Sequence, residues 1–390
     1  MSCSSVIRRR PWFGVGVVVL QAALWAGPAA AVEPVPSPEP AVAAPLYIGE
    51  PVAGGSLAGM PNAVGIDMLP DWPRWFAGAS GLVMTRTLGS GAATMQPLGT
   101  TQLSTSDAAP SWPGGVDLHL GRWFGPHQHH AVEFIYWGVF GMGSTAGVTS
   151  VPPNSIDAIP QAAVGVTIAG QPAQGYLVDG AAQSVSRSDL VNDIEINWVY
   201  ALWDRPEFLP RDRAVSLMWL AGFRFFQVED VLTLATVAAN PALGSADIAV
   251  ATNNNLYGGQ VGAKFDWRFL PRMRFMAVPK FMLAGNSITN TTSLASEAGV
   301  VATFSDGAPV SVHSTLGVFS WLGSVDTGVA WDVTDRWTLS VGYRVVGVGN
   351  IAQADGQWPT LIATRDSLSG VSAGTSTIIH GGFAGFEGRY

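Results

Sequence analysis

The chain lacks almost everything that a disulfide-built or thiol-dependent protein needs. Its one cysteine is Cys3, close to the N-terminus, so neither a disulfide framework nor a buried thiolate nucleophile is available to the rest of the 390 residues. Charge is also scarce. Asp, Glu, Lys and Arg make up 12% of the chain, where a typical globular domain carries about 25%. Hydrophobic residues make up 48%, yet beyond the N-terminus no run of the roughly 18 apolar residues that a spanning helix requires is found. Scarce charge without long apolar runs excludes helical membrane spans. It leaves an architecture in which each segment is apolar on alternate residues only.

The N-terminus reads as a secretory signal. Arg8, Arg9 and Arg10 precede the apolar stretch Trp12 to Gly27, and Ala29-Ala30-Ala31 offers small residues for cleavage. The expected division is a signal peptide over 1–31, a Pro/Ala/Gly-rich segment over 32–70 and a β-domain over 71–390. Removing residues 1–31 takes away three Arg and no acids, so a formal −8 becomes −11. An acidic exported chain is a poor partner for nucleic acid. A mature N-terminus at Val32 is the expected mass-spectrometric result on membrane-extracted protein, and an intact Met1 would refute the processing site.

From Trp72 onward, apolar and polar residues alternate in segments that continue to the last residue. The clearest runs from Leu256 to Phe281. Tyr257, Val261, Phe265 and Trp267 alternate with Gln260, Lys264, Asp266 and Arg268, and after a break at Leu270–Arg272 the pattern resumes. Such alternation puts successive side chains on opposite faces of a sheet. Segments begin near Arg74, Gly115, His130, Ser188, Arg213, Asp247, Met273, His313, Trp337 and Thr375. The expected fold is all-β: an antiparallel transmembrane β-barrel of about ten strands, with twelve as the upper alternative. A soluble sandwich would need a second apolar layer over so many aromatic faces, and no helical segments able to supply it are apparent.

Connections near Gly125–His129, Arg205–Asp212, Leu270–Arg272 and Asp335–Arg336 are short. Those near Leu88–Pro113, Gly143–Arg187, Ala238–Ala246, Ser293–Ser311 and Ile351–Gly374 are long. Short periplasmic turns opposite long, polar extracellular loops are the habit of outer-membrane barrels. Trp123, Phe124, Trp203, Trp267, Phe269, Trp331, Trp337 and Tyr390 fall near the short-turn ends, where an aromatic girdle would sit.

On these registers the charges point inward. The acids are Asp117, Glu133, Asp193, Glu195, Asp266, Asp326, Asp332 and Glu387. The bases are Arg224, Lys264, Arg268, Arg274, Lys280, Arg344 and Arg389. In a wet lumen they would line a channel and tune its selectivity. In a narrow one they must pair, because an isolated buried charge is very costly. About ten strands lie near the size at which side chains fill the interior, and the signs nearly balance, so the pairing reading is favoured.

Other constellations carry less. His127–His130 ("HQHH") groups three imidazoles without a carboxylate or thiol, and reads as a polar turn. Gly258, Gly259 and Gly262 are followed by no Lys-Ser/Thr, which excludes a phosphate loop. Asn290–Thr292 matches a glycosylation acceptor by chance. No nucleophile–base arrangement is evident; His380 falls on the lipid-facing register. No enzyme activity, metal or cofactor is expected.

The stretch Asn253–Phe269, "NNNLYGGQVGAKFDWRF", resembles a strand of the planctomycete outer-membrane β-barrel porin family through Asn255, Tyr257, Gly258, Gly259, Gln260 and Gly262. Ile194–Leu202, Leu220–Leu234, Arg336–Val346 and the terminal "GFAGFEGRY" are similar to other strands of that family. The first strand departs from it, with Ser80 and Met84 in place of an acidic residue and paired tryptophans. The resemblance implies an outer-membrane location; the expected function is that of a porin with a narrow or partly occluded lumen for small solutes, with membrane lipid as a partner. Barrels of this class also lead us to expect Phe386 and Tyr390 to act as the C-terminal signal read by the barrel-assembly machinery. The alternative is a structural or surface-interaction protein that acts through its long loops.

Overall fold

The computed structural model describes residues 73–95, 102–125, 128–150, 155–160, 163–202 and 214–390. The signal peptide, the 32–70 segment, Trp203, the Arg205–Asp212 turn and His127 lie outside them. The described residues form twelve strands: β1 (Trp75–Arg86), β2 (Gly114–Phe124), β3 (His130–Thr149), β4 (Thr167–Ile168), β5 (Gln171–Pro172), β6 (Gly180–Ala201), β7 (Val215–Ala238), β8 (Ser245–Leu270), β9 (Met273–Ser296), β10 (Ser311–Asp332), β11 (Trp337–Ile351) and β12 (Thr375–Arg389). Two of them, β4 and β5, form a small hairpin within a loop. The other ten close into one antiparallel barrel in which β1 pairs with both β2 and β12. Closure leaves no open edge, as a sheet in hydrocarbon requires.

The outer wall changes character with height. On β7 the outward positions nearest the short turns are Val215, Leu217, Trp219, Ala221, Phe223 and Phe225; above them come Gln227 and Glu229. On β8, Trp267, Phe265, Val261 and Tyr257 give way to Asn255 and Asn253. The apolar band from Val215 to Phe225 matches the roughly 9–11 residues with which a tilted strand crosses a bilayer. Trp75, Phe124, Trp267, Phe269, Trp331, Trp337 and Tyr390 are exposed at its short-turn border. Trp123, expected there, instead faces inward and packs on Phe76 at 6.1 Å. Its parity in β2 places it with Asp117 and His119, and parity outranks an aromatic's preference for the interface.

Above the band the alternation inverts. Inward positions on β7 become Val228, Leu232 and Leu234, while Gln227, Glu229 and Thr233 face out. The upper strands therefore form a water-facing barrel whose interior is largely apolar around a buried charged group of Arg187, Asp189 and Asp230. This inversion corrects two loop boundaries. Both ends of the stretch Gly143–Arg187 are strand, since β3 runs to Thr149 and β6 starts at Gly180, and Ala238–Ala246 is a tight hairpin joining β7 to β8. It also corrects the expectation of polar loops. Met95, Leu103, Ile156, Ile168, Tyr176, Phe304, Trp358, Ile362 and Leu368, all from the connections on this side, are buried against Val185, Leu232, Leu234, Ile248, Val250, Leu294 and Val312 of the wall. The loops fold into the mouth because the inner wall there is apolar and must be covered.

One irregularity sets a register. Gly141 adopts φ 73° in β3, and the pairing with β6 shifts between Phe140 and Met142. The extra residue keeps Met142 facing inward, above Val139 and Trp137.

The height of the band is testable on one strand. Phe223→Arg is expected to destabilise the folded barrel by about 2–4 kcal/mol in lipid vesicles, the cost of a cation at mid-bilayer. Gln227→Arg, on the same outer face just above the band, is expected to change it by less than about 1 kcal/mol. Equal unfolding midpoints in urea would misplace the membrane.

Candidate functional site

The interior of the barrel gathers the polar chemistry of the chain, and it is ordered in layers. Nearest the short turns, Arg274 of β9 donates to Asp266 of β8 at 3.0 Å and to Asp332 of β10 at 2.7 Å. Thr338 donates to Asp332 at 2.6 Å, and Arg389 reaches Thr338 at 2.7 Å and Glu387 at 3.1 Å. His119 meets Glu387 at 3.2 Å. Arg268 is half-buried at this end, opposite Arg274 in the register.

The next layer spans the lumen. Lys264 of β8 donates to Glu133 of β3 at 2.7 Å, although β6 and β7 stand between those strands in the ring. Arg344 faces Asp326 directly across the β10–β11 ladder and binds it at 2.8 Å. It also reaches Asp117 of β2 at 2.7 Å, and its guanidinium lies 5.1 Å from the Trp137 ring. Below and around these pairs lies a cavity of about 220 Å³. Its lining includes Phe76, Trp123, Ile135, Met218, Met276 and Phe383 as well as the charges.

Above it, Arg224 is fully buried. It donates to Asp193 at 2.7 Å and to Ser324, on the far side of β8 and β9, at 3.2 Å. Lys280 binds Glu195 at 2.8 Å, again across two intervening strands. Gln260 donates to Glu195 at 2.8 Å and to Asn197 at 2.7 Å. These partners explain the Tyr-Gly-Gly-Gln stretch. Gln260 joins carboxylate and amide in the middle of the lumen, Tyr257 faces the membrane, and Asn255 stands on the outer wall above the band. Gly258 and Gly262 face inward, where any Cβ would run into the Leu283 and Pro279 carbonyls of β9. Gly259 faces outward into open space.

A layer of apolar side chains follows: Trp137 and Phe226, with ring centres 5.9 Å apart, together with Leu82, Met84, Leu256, Met282, Leu322 and Val346. Over it sits a second ionic cluster. Arg86 meets Asp189 at 2.6 Å and Asp230 at 2.9 Å, and Arg187 meets Asp230 and Asp355, each at 2.7 Å. These side chains are essentially excluded from solvent.

Asp355 belongs to an inward strap, Ala352–Asp355, at the start of the β11–β12 connection. All of its residues are buried. Asn254 of β8 holds Ala352 both ways, donating to its carbonyl at 2.7 Å and accepting from its N–H at 2.9 Å. Asp230 accepts the Ala354 N–H at 3.0 Å. Arg187 also donates to the carbonyls of Ala108 and Thr105, in the β1–β2 connection. One arginine thus ties two loops to the wall.

Reading the lumen charges from sequence did not include Arg86, Arg187, Asp189, Asp230, Asp355 or Asn254. Asp189 and Asp230 share parity with Asp193 and Arg224, so continuing those registers upward would have found them. Asp355, in a loop without period, carried no such signal. Elsewhere, the Gln128–His130 side of the histidine cluster shows no metal grouping among the described residues, and His130 stacks on Trp198 at 5.4 Å on the outer wall. His380 also faces outward, bonded to the Tyr343 hydroxyl at 2.6 Å. Phe386 and Tyr390 stand exposed beside Trp337, at 6.0 and 6.2 Å.

A closed barrel with a membrane band outside and ion pairs inside can be set against known families. The family model described as "Putative beta barrel porin-7" matches residues 77–376. The chain belongs to that family. As a member of the porin-7 family it is an outer-membrane β-barrel, and its apolar band contacts lipid. Among solved structures it is similar to the outer membrane protease OmpT of Escherichia coli, at 11% identity and a TM-score of 0.46, over 83% of this chain and 98% of that one. It is also similar to the P. putida toluene transporter TodX, at 8% identity and TM-score 0.28, over 82% and 91%. The Ralstonia pickettii toluene transporter TbuX gives 10% and 0.28, over 82% and 90%. No curated protein matches.

Proposed function

We propose that the chain is an outer-membrane channel for small solutes whose lumen is narrow and, with the strap in place, closed. The reading rests above all on one observation: acid–base contacts of 2.7–2.8 Å join strands that are not neighbours in the ring, as in Lys264–Glu133 and Lys280–Glu195. Side chains that meet on such chords narrow the water path at their level. The apolar Trp137–Phe226 layer and the Ala352–Asp355 strap add two further barriers. Passage then requires the strap and loops to leave the mouth and the pairs to rearrange. The cavity at the short-turn end is the standing part of the path. Membership of a porin family supports transport as the role, and the role assigned is conduction without catalysis.

A vesicle-swelling assay with solutes of graded size tests the reading. Wild type is expected to admit small sugars slowly. Asn254→Ala, which removes both bonds to Ala352, is expected to raise the rate several-fold. Equal rates for the two proteins, both fast, would mean that the strap closes nothing. Equal rates at the protein-free baseline would favour a role carried by the outer loops.

A further inference from the structure

We propose that the outer mouth holds a binding site for an uncharged, hydroxyl-rich ligand of disaccharide size. The site is the cleft between the inner face of β9 and the part of the β11–β12 connection that follows the strap. Its volume is about 500 Å³, within the range of roughly 300–1,000 Å³ over which small-molecule sites fall. From β9 come Asn290 and Thr292; from the connection come Gln357, Trp358, Ser367 and Ser372 among others.

Three observations point to a ligand and to its class. No charged side chain lines the cleft. An ionic ligand would lose its hydration there without gaining a counter-charge. The Asn290 amide and the Thr292 and Ser372 hydroxyls, which can both donate and accept, match the dual character of a sugar hydroxyl, while the Gln357 amide and the Ser367 hydroxyl are already bonded within the chain.

Second, the cleft is built rather than incidental. Gln357 donates to the Ser372 carbonyl at 2.7 Å and accepts the Ser372 N–H at 2.9 Å, which fixes the two ends of the connection to each other. Trp358 is anchored through its indole N–H to the Ile159 carbonyl at 3.0 Å, and the Gly370 N–H bonds Ser314 of β10 at 3.0 Å.

Third, the Asn290 side-chain oxygen is buried without a hydrogen-bond partner, on a residue only 2% exposed. A buried, unsatisfied amide oxygen is costly. The oxygen is sealed as the loop stands, so a ligand hydroxyl would relieve it only as the loop gives way to the occupant. The cleft also adjoins the strap, since Gly356 follows Asp355 directly, so an occupant bears on the segment that covers the lumen.

Calorimetric titration of the folded chain in amine-oxide micelles, which carry no sugar headgroup, tests the site independently of transport. Maltose and sucrose are the neutral probes, and gluconate and glucosamine are the charged ones. The expected result is saturable binding of a neutral disaccharide in the millimolar range or tighter, at least tenfold weaker binding by Asn290→Ala, and no binding of the charged probes. Where Asn290→Ala fails to give a heat-modifiable barrel, hydrogen exchange on wild type replaces it, with protection by the disaccharide expected over 356–372. The proposal is overturned if neither disaccharide binds up to about 50 mM. It is equally overturned if charged probes bind as well, if Asn290→Ala leaves affinity unchanged, or if exchange over 356–372 does not respond. None of these outcomes depends on whether the lumen conducts.

Discussion

Arg344→Ala is expected to lower the stability of the folded barrel by about 3–5 kcal/mol, the range found when one partner of a buried ion pair is removed. Its guanidinium serves two carboxylates, Asp326 at 2.8 Å and Asp117 at 2.7 Å, and no other ion pair to either is seen among the described residues. The alanine variant leaves both acids facing a largely desolvated interior. Urea unfolding in lipid vesicles measures the loss. The triple variant Arg344→Met, Asp117→Asn, Asp326→Asn removes the charges together and is expected to recover most of it, because a desolvated pair often adds little beyond what its own burial costs. A triple variant no more stable than Arg344→Ala would show that the guanidinium acts through packing against Trp137, 5.1 Å away, and not through its charge.

Arg187→Ala is expected to act at the other end of the lumen and on a different property. It frees Asp355 from the wall and removes the donors that hold the Ala108 and Thr105 carbonyls. The lower barrel shares none of these contacts. Amide exchange over 352–374 and 102–113 is therefore expected to accelerate at least tenfold, while the membrane-band strands keep their protection. A uniform loss of protection would mean that Arg187 supports the whole barrel; no change at all would mean that the loops are held by their apolar contacts alone.

The membrane-facing half was legible in the sequence because hydrocarbon imposes one rule on every outward position. Val261, Phe265 and Trp267 could only face lipid if Lys264, Asp266 and Arg268 did not, and ten such segments add up to a closed ring. The direct pairing of Asp326 with Arg344 follows from two adjacent registers and a short turn. The upper half was less legible. Once the outer wall meets water, the apolar residues move to the inner face without any change in period. Gln227, Val228 and Glu229 still alternate, with the opposite meaning. Reading the alternation as lipid-outside throughout therefore ends the strands too early and turns their tops into loops. The strap was invisible for another reason. Ala352, Gln353, Ala354 and Asp355 have no periodic pattern, and their burial depends on Asn254, Asp230 and Arg187, which lie far away in the chain. Trp123 marks the limit of composition-based placement: its position near a short turn suggested the girdle, and its parity set it inside.

Planar-bilayer recording of wild type beside a variant in which residues 352–374 are replaced by a short Gly-Ser linker tests the closed-lumen reading most directly. The linker removes the strap and leaves every barrel strand in place. Wild type is expected to show a closed baseline with brief, small openings, and the linker variant markedly more frequent openings of the same ion selectivity, still small because the paired charges and the Trp137–Phe226 layer remain. A wild type that opens as often as the linker variant would contradict the account.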